Sequence, residues 1–234
     1  MPNPVILEAL GKHTATVIFA HGLGDSAAGW VPLARELRTR FQHIKWVLPT
    51  APEQPVSINM GMSMTSWFDI QSLPPAELRA DDDKGMLESV RTINKLITDE
   101  TDAGLPSDRI LVGGFSQGGC IAYLTGLTSE RKLAGIAALS GWLGMADKIK
   151  SVSSIPRSIL LMMTDHALKL PIFHGHGTGD QVVKHIWGKQ SVDKLQEFGH
   201  KNIEFHSYPG MPHSFCPEEQ TDLEVFIRKV LPEQ

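Results

Sequence analysis

One short segment, residues 114–118 with the sequence G-F-S-Q-G, constrains the fold more than any other part of the chain. Apolar runs at residues 110–112 and 120–124 flank it, which predicts a strand, a sharp turn and a helix. A G-x-S-x-G turn needs its glycines because bulkier side chains would strike the neighbouring strand or helix. The turn exposes Ser116 beside a helix N-terminus, where developing negative charge is favoured. Ser116 is therefore a candidate nucleophile, although the motif alone also allows a small-residue turn without chemical function.

The composition is that of an ordinary globular domain. Hydrophobic residues make up 41% and charged residues 21% of the 234 positions, which is enough to bury a sizeable core in one domain spanning residues 1–234. The formal net charge is −4 without any basic run, so we expect no nucleic-acid partner. The two cysteines, Cys120 and Cys216, form no paired framework, which predicts a reducing compartment.

The sequence carries no recognisable targeting or membrane-spanning signal. Residues 1–5 lack the charged and long apolar regions of a signal peptide. No apolar run approaches the roughly 20 residues that a membrane-spanning helix needs. We therefore expect a cytoplasmic protein, with the nucleus as a further location that the same features allow.

Predicted strands and helices alternate along the chain. Short apolar runs predict strands at 15–20, 44–48, 109–114, 133–139, 170–174 and 203–208, and helical periodicity predicts helices at 27–40, 81–100, 117–128, 185–198 and 217–231. This order predicts an α/β fold with a mainly parallel central sheet and helices on both faces. Residues 50–80 follow no single period, and we interpret 66–70 (S-W-F-D-I) as part of a hairpin.

Candidate chemical groups follow several of the predicted strands. Ligands of an open α/β sheet bind beyond the carboxyl ends of its strands. Ser116, the His21-Gly22 pair, residues 140–142 and the His174-Gly175 pair all fall at such ends. These distant parts of the sequence are therefore expected to meet at one edge of the sheet.

A serine nucleophile needs a base within hydrogen-bond reach, and the base needs an orienting partner. In this strand–turn–helix arrangement the expected chain order is Ser, then Asp or Glu, then His. Asp180 lies in a glycine-rich loop after a predicted strand, which favours it, while Asp165 and Asp193 stay open as alternatives. His213, between the last predicted strand and the last helix, is the favoured base among ten histidines.

An acyl-transfer site also needs two N–H donors for the oxyanion of its intermediate. The residue after the nucleophile supplies one backbone N–H, which here is Gln117. The loop after an early strand supplies the other. That loop is residues 21–24 with the sequence H-G-L-G, and Leu23 is the candidate donor.

A metal site is the competing interpretation of the histidines. His174 and His176 stand two residues apart in an extended segment, with Asp180 and His213 expected nearby, and zinc uses all of these ligand types. This interpretation leaves the G-x-S-x-G turn unexplained. We therefore favour a serine-based site that needs no metal and no cofactor.

Several segments together resemble the acyl-protein thioesterase and lysophospholipase family of α/β-hydrolases. The matching segments are residues 17–25, 66–70, 113–119, 132–135, 138–143, 174–180 and 208–214. The combination of H-G-L-G-D, S-W-F-D-I and G-G-F-S-Q-G-G is far more specific than G-x-S-x-G alone. The resemblance covers the chain from about residue 14 onward and implies the α/β-hydrolase fold. It also implies a catalytic triad of Ser116, Asp180 and His213, with Leu23 and Gln117 as oxyanion donors.

The same resemblance implies a serine hydrolase that cleaves long-chain acyl thioesters, through an acyl-enzyme. Palmitoylated protein cysteines and lysophospholipids are the implied substrates and partners. A long acyl chain needs an apolar channel, for which Trp67, Leu73 and Trp142 are candidates, with ordinary core packing as the alternative. Residues 143–169 form a longer connection than in the family, and we interpret them as an extended insertion or a lid-like cover.

Two other functions stay open on the sequence alone. One is a broad-specificity small carboxylesterase, and the other is a non-catalytic protein of the same fold that binds acyl lipids. The Trp and Met residues between positions 60 and 70 are candidates for a weak homodimer patch. Without a membrane-spanning segment, any contact with a membrane is expected to be transient and at its surface.

Overall fold

The computed structural model describes residues 2–72, 82–146, 148–150, 161–164 and 166–234. The helices in these ranges are α1 (Ala27–Arg40), α2 (Asp83–Asp102), α3 (Gln117–Thr128), α4 (His185–Glu197) and α5 (Pro217–Val230). The strands are β1 (Val5–Leu7), β2 (Ala15–Ala20), β3 (Ile44–Leu48), β4 (Glu53–Val56), β5 (Met62–Thr65), β6 (Ile110–Phe115), β7 (Gly135–Leu139), β8 (Ile149–Lys150), β9 (Leu161–Met162), β10 (Ile172–Gly177) and β11 (Ile203–Tyr208). The alternation predicted from the sequence is confirmed, with bounds shifted by only a few residues.

Within the described ranges, the main sheet has the strand order β1-β3-β2-β6-β7-β10-β11. The pairing of β1 with β3 is antiparallel, and the other neighbours in this sheet pair in parallel. Strands β2, β7 and β10 are buried along their whole length, as parallel strands covered on both faces should be. The predicted α/β-hydrolase fold is therefore confirmed. Sequence reasoning missed β1, because a strand of three residues gives too short a pattern to detect.

The core consists of two clusters of buried side chains, one on each face of the sheet. Val17 and Phe19 of β2 pack in the cluster that contains buried residues of α1 and α5. Ile18 of the same strand packs in the other cluster, with buried residues of α2, α3 and α4. This alternation is the two-residue period of a strand. Helices on both faces therefore leave the strand ends as the accessible edge of the sheet.

The region from residue 50 to residue 72 contains a hairpin, but not where the sequence analysis placed it. Strands β4 and β5 form the antiparallel pair, and the S-W-F-D-I segment follows them as irregular chain. Trp67 and Phe68 in that segment are each only 1% exposed. Trp67 therefore cannot contribute to the predicted homodimer patch, whereas Met60 and Met62 on the hairpin are 89% and 54% exposed.

Parts of two predicted features lie outside the described residues. Leu73 is one of them, and so are positions 147, 151–160 and 165 of the predicted insertion. The described ends of that insertion include β8 and β9, which pair in parallel. A lid-like function of residues 143–169 and the single-domain organisation of the chain stay predictions. No helix within the described ranges is both long and apolar enough to cross a bilayer.

Glu219, in the first turn of α5, is a buried acid to which the described part of the chain supplies no ion-pair partner. Its side chain is 0% exposed, and neither carboxyl oxygen has a hydrogen-bond partner among the described residues. The carboxyl group lies against the backbone of Gly175, because a Cβ atom added to Gly175 would lie 2.1 Å from Glu219 Oε1. Burial, together with the nearby Asp222 carboxylate, raises the pKa of Glu219 to about 8. The folded protein therefore holds this carboxyl protonated at neutral pH.

Replacing this acid should make the protein less sensitive to alkaline pH. The folded-state pKa of Glu219 exceeds its ordinary value of 4.5. At pH values between the two, the folded protein therefore binds more protons than the unfolded chain does. Its free energy of unfolding then falls as the pH rises. Glu219→Gln removes this titration. As the pH rises from 5 to 9, the free energy of unfolding of the variant should therefore rise by up to about 4 kcal/mol relative to that of the wild type. Urea unfolding at pH 5, 7 and 9 measures this difference.

The matched control is Glu218→Gln, which changes the exposed neighbour in the same helical turn. This variant should follow the wild-type pH dependence. If Glu219→Gln also follows it, the carboxyl group does not titrate as its burial requires.

Candidate active site

The G-x-S-x-G segment forms a sharp turn at the carboxyl edge of the sheet. Strand β6 ends at Phe115, helix α3 begins at Gln117, and Ser116 lies between them with φ 54° and ψ −117°. A non-glycine residue adopts such angles only when the surrounding structure enforces them. The Ser116 N–H donates to the carbonyl of Leu139 on β7 at 2.8 Å. The turn is thereby fixed to the neighbouring strand, with Ser116 7% exposed.

Two glycines make this turn possible because helix and strands meet there at backbone distance. A Cβ atom on Gly118 would lie 2.1 Å from the carbonyl oxygen of Ala20 in β2. A Cβ atom on Gly114 would lie 2.4 Å from the backbone of Gly118. Backbone atoms cannot move aside as the end of a flexible side chain can. The requirement for glycine that was inferred from the sequence therefore has a specific steric cause.

Asp180 and His213 meet in a direct hydrogen bond. Asp180 follows β10, His213 lies between β11 and α5, and 2.7 Å separates Asp180 Oδ2 from His213 Nδ1. The other oxygen, Oδ1, accepts the N–H groups of Val182 and Val183 at 2.8 and 2.9 Å. Burial alone would raise the pKa of Asp180, but hydrogen bonds from His176, His213 and the Val182 N–H together lower it below its ordinary value. An ionised carboxylate therefore orients the imidazole of His213.

The His213 ring reaches the serine turn through Phe115. The two ring centroids are 4.7 Å apart, which places the imidazole beside the residue that precedes Ser116. No hydrogen bond within the described part of the chain joins Ser116 Oγ to His213. Such bonds are often long before substrate binds and shorten in the complex. The structure thus joins Asp180 to His213 directly and brings His213 to the serine turn by packing.

The H-G-L-G loop after β2 is held by the ring of His21. His21 Nε2 accepts the N–H of Ala51 at 3.0 Å, so Nδ1 carries the proton and donates to the Gly22 carbonyl at 2.6 Å. Burial lowers the pKa of His21 and favours this neutral form. The Asp25 N–H donates to the same carbonyl at 3.2 Å. These bonds fix the orientation of the peptide between Gly22 and Leu23.

That peptide is the predicted source of one oxyanion donor. In a planar trans peptide the C=O and the N–H point in opposite directions. A Gly22 carbonyl held by His21 therefore directs the Leu23 N–H to the opposite side. The loop also lies against the serine turn, because a Cβ atom on Gly22 would be 3.4 Å from Ser116 Cβ.

The side chain of Gln117 ties the serine turn to the S-W-F-D-I segment. Its Oε1 accepts the Trp67 N–H at 2.9 Å, and its Nε2 donates to Ser66 Oγ and to the Phe68 carbonyl at 3.0 and 2.7 Å. Trp67 Nε1 in turn donates to the His21 carbonyl at 2.8 Å. The sequence analysis assigned Gln117 a backbone function only and gave the ring of His21 no function. The presence of a polar residue between the two glycines of the motif was the available signal for the Gln117 contact.

The histidines of the competing metal interpretation contact one another instead. His174 Nε2 lies 3.1 Å from His176 Nδ1, and His174 Nδ1 lies 2.6 Å from the Tyr123 hydroxyl. Both nitrogens of His174 therefore have protein partners. Across the described ranges, no group of three or more His, Cys, Asp or Glu side chains has an arrangement that could hold a metal ion.

Comparison with known sequences places this chain in a family. Residues 1–231 match the profile of a family described as phospholipase/carboxylesterase. The chain belongs to the phospholipase/carboxylesterase family. Acyl-protein thioesterase 1 of Cryptococcus neoformans is among the similar proteins. It is 48% identical, and the match covers 94% of this chain and 93% of the relative. Acyl-protein thioesterase 1 of Yarrowia lipolytica is 44% identical, with 95% of each chain covered.

Solved structures of family relatives have the same fold. Acyl-protein thioesterase 2 of Zea mays superposes with a TM-score of 0.82 at 29% identity, over 98% of this chain and 99% of its own. SOBER1 of Arabidopsis thaliana superposes with a TM-score of 0.81 at 31% identity, over 93% and 99% of the two chains.

In this member of the phospholipase/carboxylesterase family, the tryptophans predicted to line an acyl channel are buried. Trp67 is 1% and Trp142 4% exposed. The Trp142 ring packs edge-on against Phe68, with centroids 6.1 Å apart. Trp67 is bound to the H-G-L-G loop as described above. Both residues thus have the packing that the sequence analysis gave as its alternative, and their contact with an acyl chain stays a prediction.

The glycine requirement of the serine turn is testable by adding one methyl group. Gly118→Ala would place a Cβ atom 2.1 Å from the Ala20 carbonyl oxygen, so we expect the free energy of unfolding to fall by more than about 3 kcal/mol. Urea unfolding gives this value. At Gly11, the nearest atom to an added Cβ is 3.7 Å away, so Gly11→Ala should change stability by less than about 1 kcal/mol. Equal stabilities of the two variants would contradict the steric explanation.

Proposed function

We propose that this chain is a serine hydrolase that removes long-chain acyl groups, above all palmitoyl, from the cysteines of proteins. The observation that carries the proposal is the 2.7 Å pair of Asp180 and His213 beside the strained turn at Ser116. Relatives named acyl-protein thioesterase 1, which are 39–48% identical over more than nine tenths of this chain, support the thioester as the bond that is cleaved.

In the proposed reaction, Ser116 Oγ attacks the thioester carbonyl while His213 takes its proton. The ionised Asp180 stabilises the imidazolium that forms. The tetrahedral intermediate then breaks its C–S bond, and His213 returns the proton to the leaving thiol. Water, activated by the same imidazole, releases the fatty acid and restores the serine. All of these steps use groups of the chain and water.

The negative charge of the intermediate falls between two backbone donors in this proposal. Gln117 is the first residue of α3, and its N–H is one of those that a helix leaves without an internal acceptor. The Leu23 N–H is oriented through the Gly22 carbonyl, as described above. Removing one such donor typically costs about 10²–10³ in turnover, so the loop geometry matters more to the rate than the side chain of Leu23.

Oxygen esters are a second substrate class for the same site. The acyl-enzyme has the same structure whether a thiol or an alcohol leaves. The family description, which names phospholipases and carboxylesterases, supports hydrolysis of lysophospholipids and small esters. Cytoplasmic action and a weak homodimer belong to the same proposal. Cys120 and Cys216 are not joined in a disulfide, which fits a reducing compartment. The exposed Met60 and Met62 are candidates for the dimer contact.

The decisive measurement compares three substrates with two serine variants. A palmitoylated peptide, lysophosphatidylcholine and a short nitrophenyl ester should all be hydrolysed by the wild type, with the peptide preferred in kcat/KM. Ser116→Ala should lower every rate by more than about 10³-fold, because no other group can form the acyl-enzyme.

Ser107→Ala is the matched control, because Ser107 lies just before β6 and Ser116 just after it. The Ser107 hydroxyl donates to the Lys132 carbonyl at the surface, so this variant should keep wild-type rates. Undiminished hydrolysis by Ser116→Ala would contradict the proposed mechanism. A wild type that cleaves only the short ester would contradict the proposed substrate.

A further inference from the structure

Behind Asp180, buried side chains form a continuous line of hydrogen-bond contacts. The Tyr123 hydroxyl is 2.6 Å from His174 Nδ1, and His174 Nε2 is 3.1 Å from His176 Nδ1. His176 Nε2 is 2.8 Å from the Val183 carbonyl oxygen and 3.5 Å from Asp180 Oδ2. The three side chains that lead to Asp180 are all 0% exposed. The line therefore connects helix α3, through β10, to the carboxylate that orients His213.

The acceptors at one end of the line determine where its protons lie. A carbonyl oxygen and a carboxylate can only accept, so His176 Nε2 carries a proton. In the neutral ring His176 Nδ1 is then an acceptor, and His174 Nε2 donates to it. His174 Nδ1 accepts in turn from the Tyr123 hydroxyl. Each group in the line thus donates in the direction of Asp180.

Burial supports the neutral forms of His174 and Tyr123 that this arrangement needs. It lowers the pKa of His174 well below the ordinary value, and the neighbouring His176 and His185 act in the same direction. Burial also raises the pKa of Tyr123, so its hydroxyl keeps its proton. Helix α4 packs directly against both rings, because a Cβ atom on Gly188 would lie 2.4 Å from His176 Nδ1 and 2.7 Å from His174 Nε2.

Among the described residues, the two side chains that pack on the rings of the line, His185 and Phe205, add no opposite charge. His185 from α4 stands edge-on to the ring of His176, with centroids 5.7 Å apart, and burial lowers its pKa too. Phe205 from β11 packs on His174 at 5.1 Å. Asp180 is therefore the charge toward which the line is directed.

We propose that Tyr123, His174 and His176 are positioning residues that hold Asp180 in the orientation His213 needs. His176 restrains the turn from Asp180 to Val183 through the Val183 carbonyl, while the Val183 N–H holds the carboxylate from within that turn. His174 and Tyr123 act through His176 by fixing which of its nitrogens carries the proton. This inference rests on the proposed function, since it concerns the triad of that reaction.

Removing the tyrosine hydroxyl tests the line without touching the carboxylate. In Tyr123→Phe, His174 Nδ1 loses its donor, so the proton of His174 is no longer confined to Nε2. His176 must then either present a lone pair to Asp180 or take a second proton. Both changes weaken the hold of Asp180 on His213. We expect kcat to fall about 3- to 30-fold with KM unchanged, and the acid limb of the pH–rate profile to move to lower pH.

The chain offers a matched control, because its other tyrosine is also buried. The Tyr208 hydroxyl donates to Asp222 at 3.0 Å and lies outside the line. Tyr208→Phe should keep the wild-type kcat and pH profile, once rates are scaled to the fraction of enzyme that reacts with a fluorophosphonate. A Tyr123→Phe variant that matches Tyr208→Phe in both measurements would overturn the proposal.

A second pair of variants tests His176 itself. The amide of His176→Gln can still donate to the Val183 carbonyl, so this variant should stay within about threefold of wild-type kcat. His176→Leu has no donor and should lose about 30-fold or more. Equal losses in the two variants would show that the ring only fills space.

Histidine nitrogen spectra report the tautomers directly. In ¹⁵N-labelled protein, His174 should carry its proton on Nε2 in the wild type and lose that preference in Tyr123→Phe. Unchanged spectra would contradict the proposed direction of the hydrogen bonds.

The activity of Ser116→Ala separates the two proposals. If Ser116→Ala is inactive while Tyr123→Phe equals the wild type, the positioning inference fails and the proposed reaction stands. If Ser116→Ala remains active, the proposed reaction fails.

Discussion

The backbone contact between α3 and β2 is the constraint on which the rest of the site depends. With Gly118 against the Ala20 carbonyl, the helix can start directly beneath the strand ends, and Ser116 is forced into its strained turn. The same contact brings the N-terminus of α3 next to the loop that follows β2. The candidate nucleophile and both candidate oxyanion donors thus come together through one close approach of two backbones.

Buried polar contacts then determine orientation where apolar packing alone could not. Gln117 ties the serine turn to the segment that contains Trp67, and Trp67 binds the carbonyl of His21. On the other side, the N–H groups of Val182 and Val183 donate to Asp180, and His176 Nε2 binds the Val183 carbonyl of the same turn. A buried donor or acceptor without a partner is costly, and a fully satisfied network makes one arrangement much more stable than its alternatives. Such rigidity suits a site that must stabilise charge as it develops.

The parallel sheet explains why residues so distant in sequence can cooperate in one reaction. Parallel strands present all their carboxyl ends at one edge, so the loops after β2, β6, β10 and β11 meet there. The solved structure of acyl-protein thioesterase 2 of Zea mays has the same fold over nearly the whole chain. The chemistry therefore lies in the loops, while helices on both faces keep the sheet that positions them rigid.

The sequence by itself determined the alternation of strands and helices and the serine turn, because these follow from local patterns of apolar residues and glycine. It favoured Asp180 over Asp165 and Asp193 and favoured His213 as the base, without deciding either. It placed the hairpin of β4 and β5 wrongly, and it left open whether Trp67 lines an acyl channel or packs in the core. Only the tertiary structure decided that Trp67 is buried and that Tyr123 and His174 meet. Those contacts join residues 46 and 51 positions apart, and no local pattern encodes them, since they arise only when the sheet has assembled and its helices have packed against it.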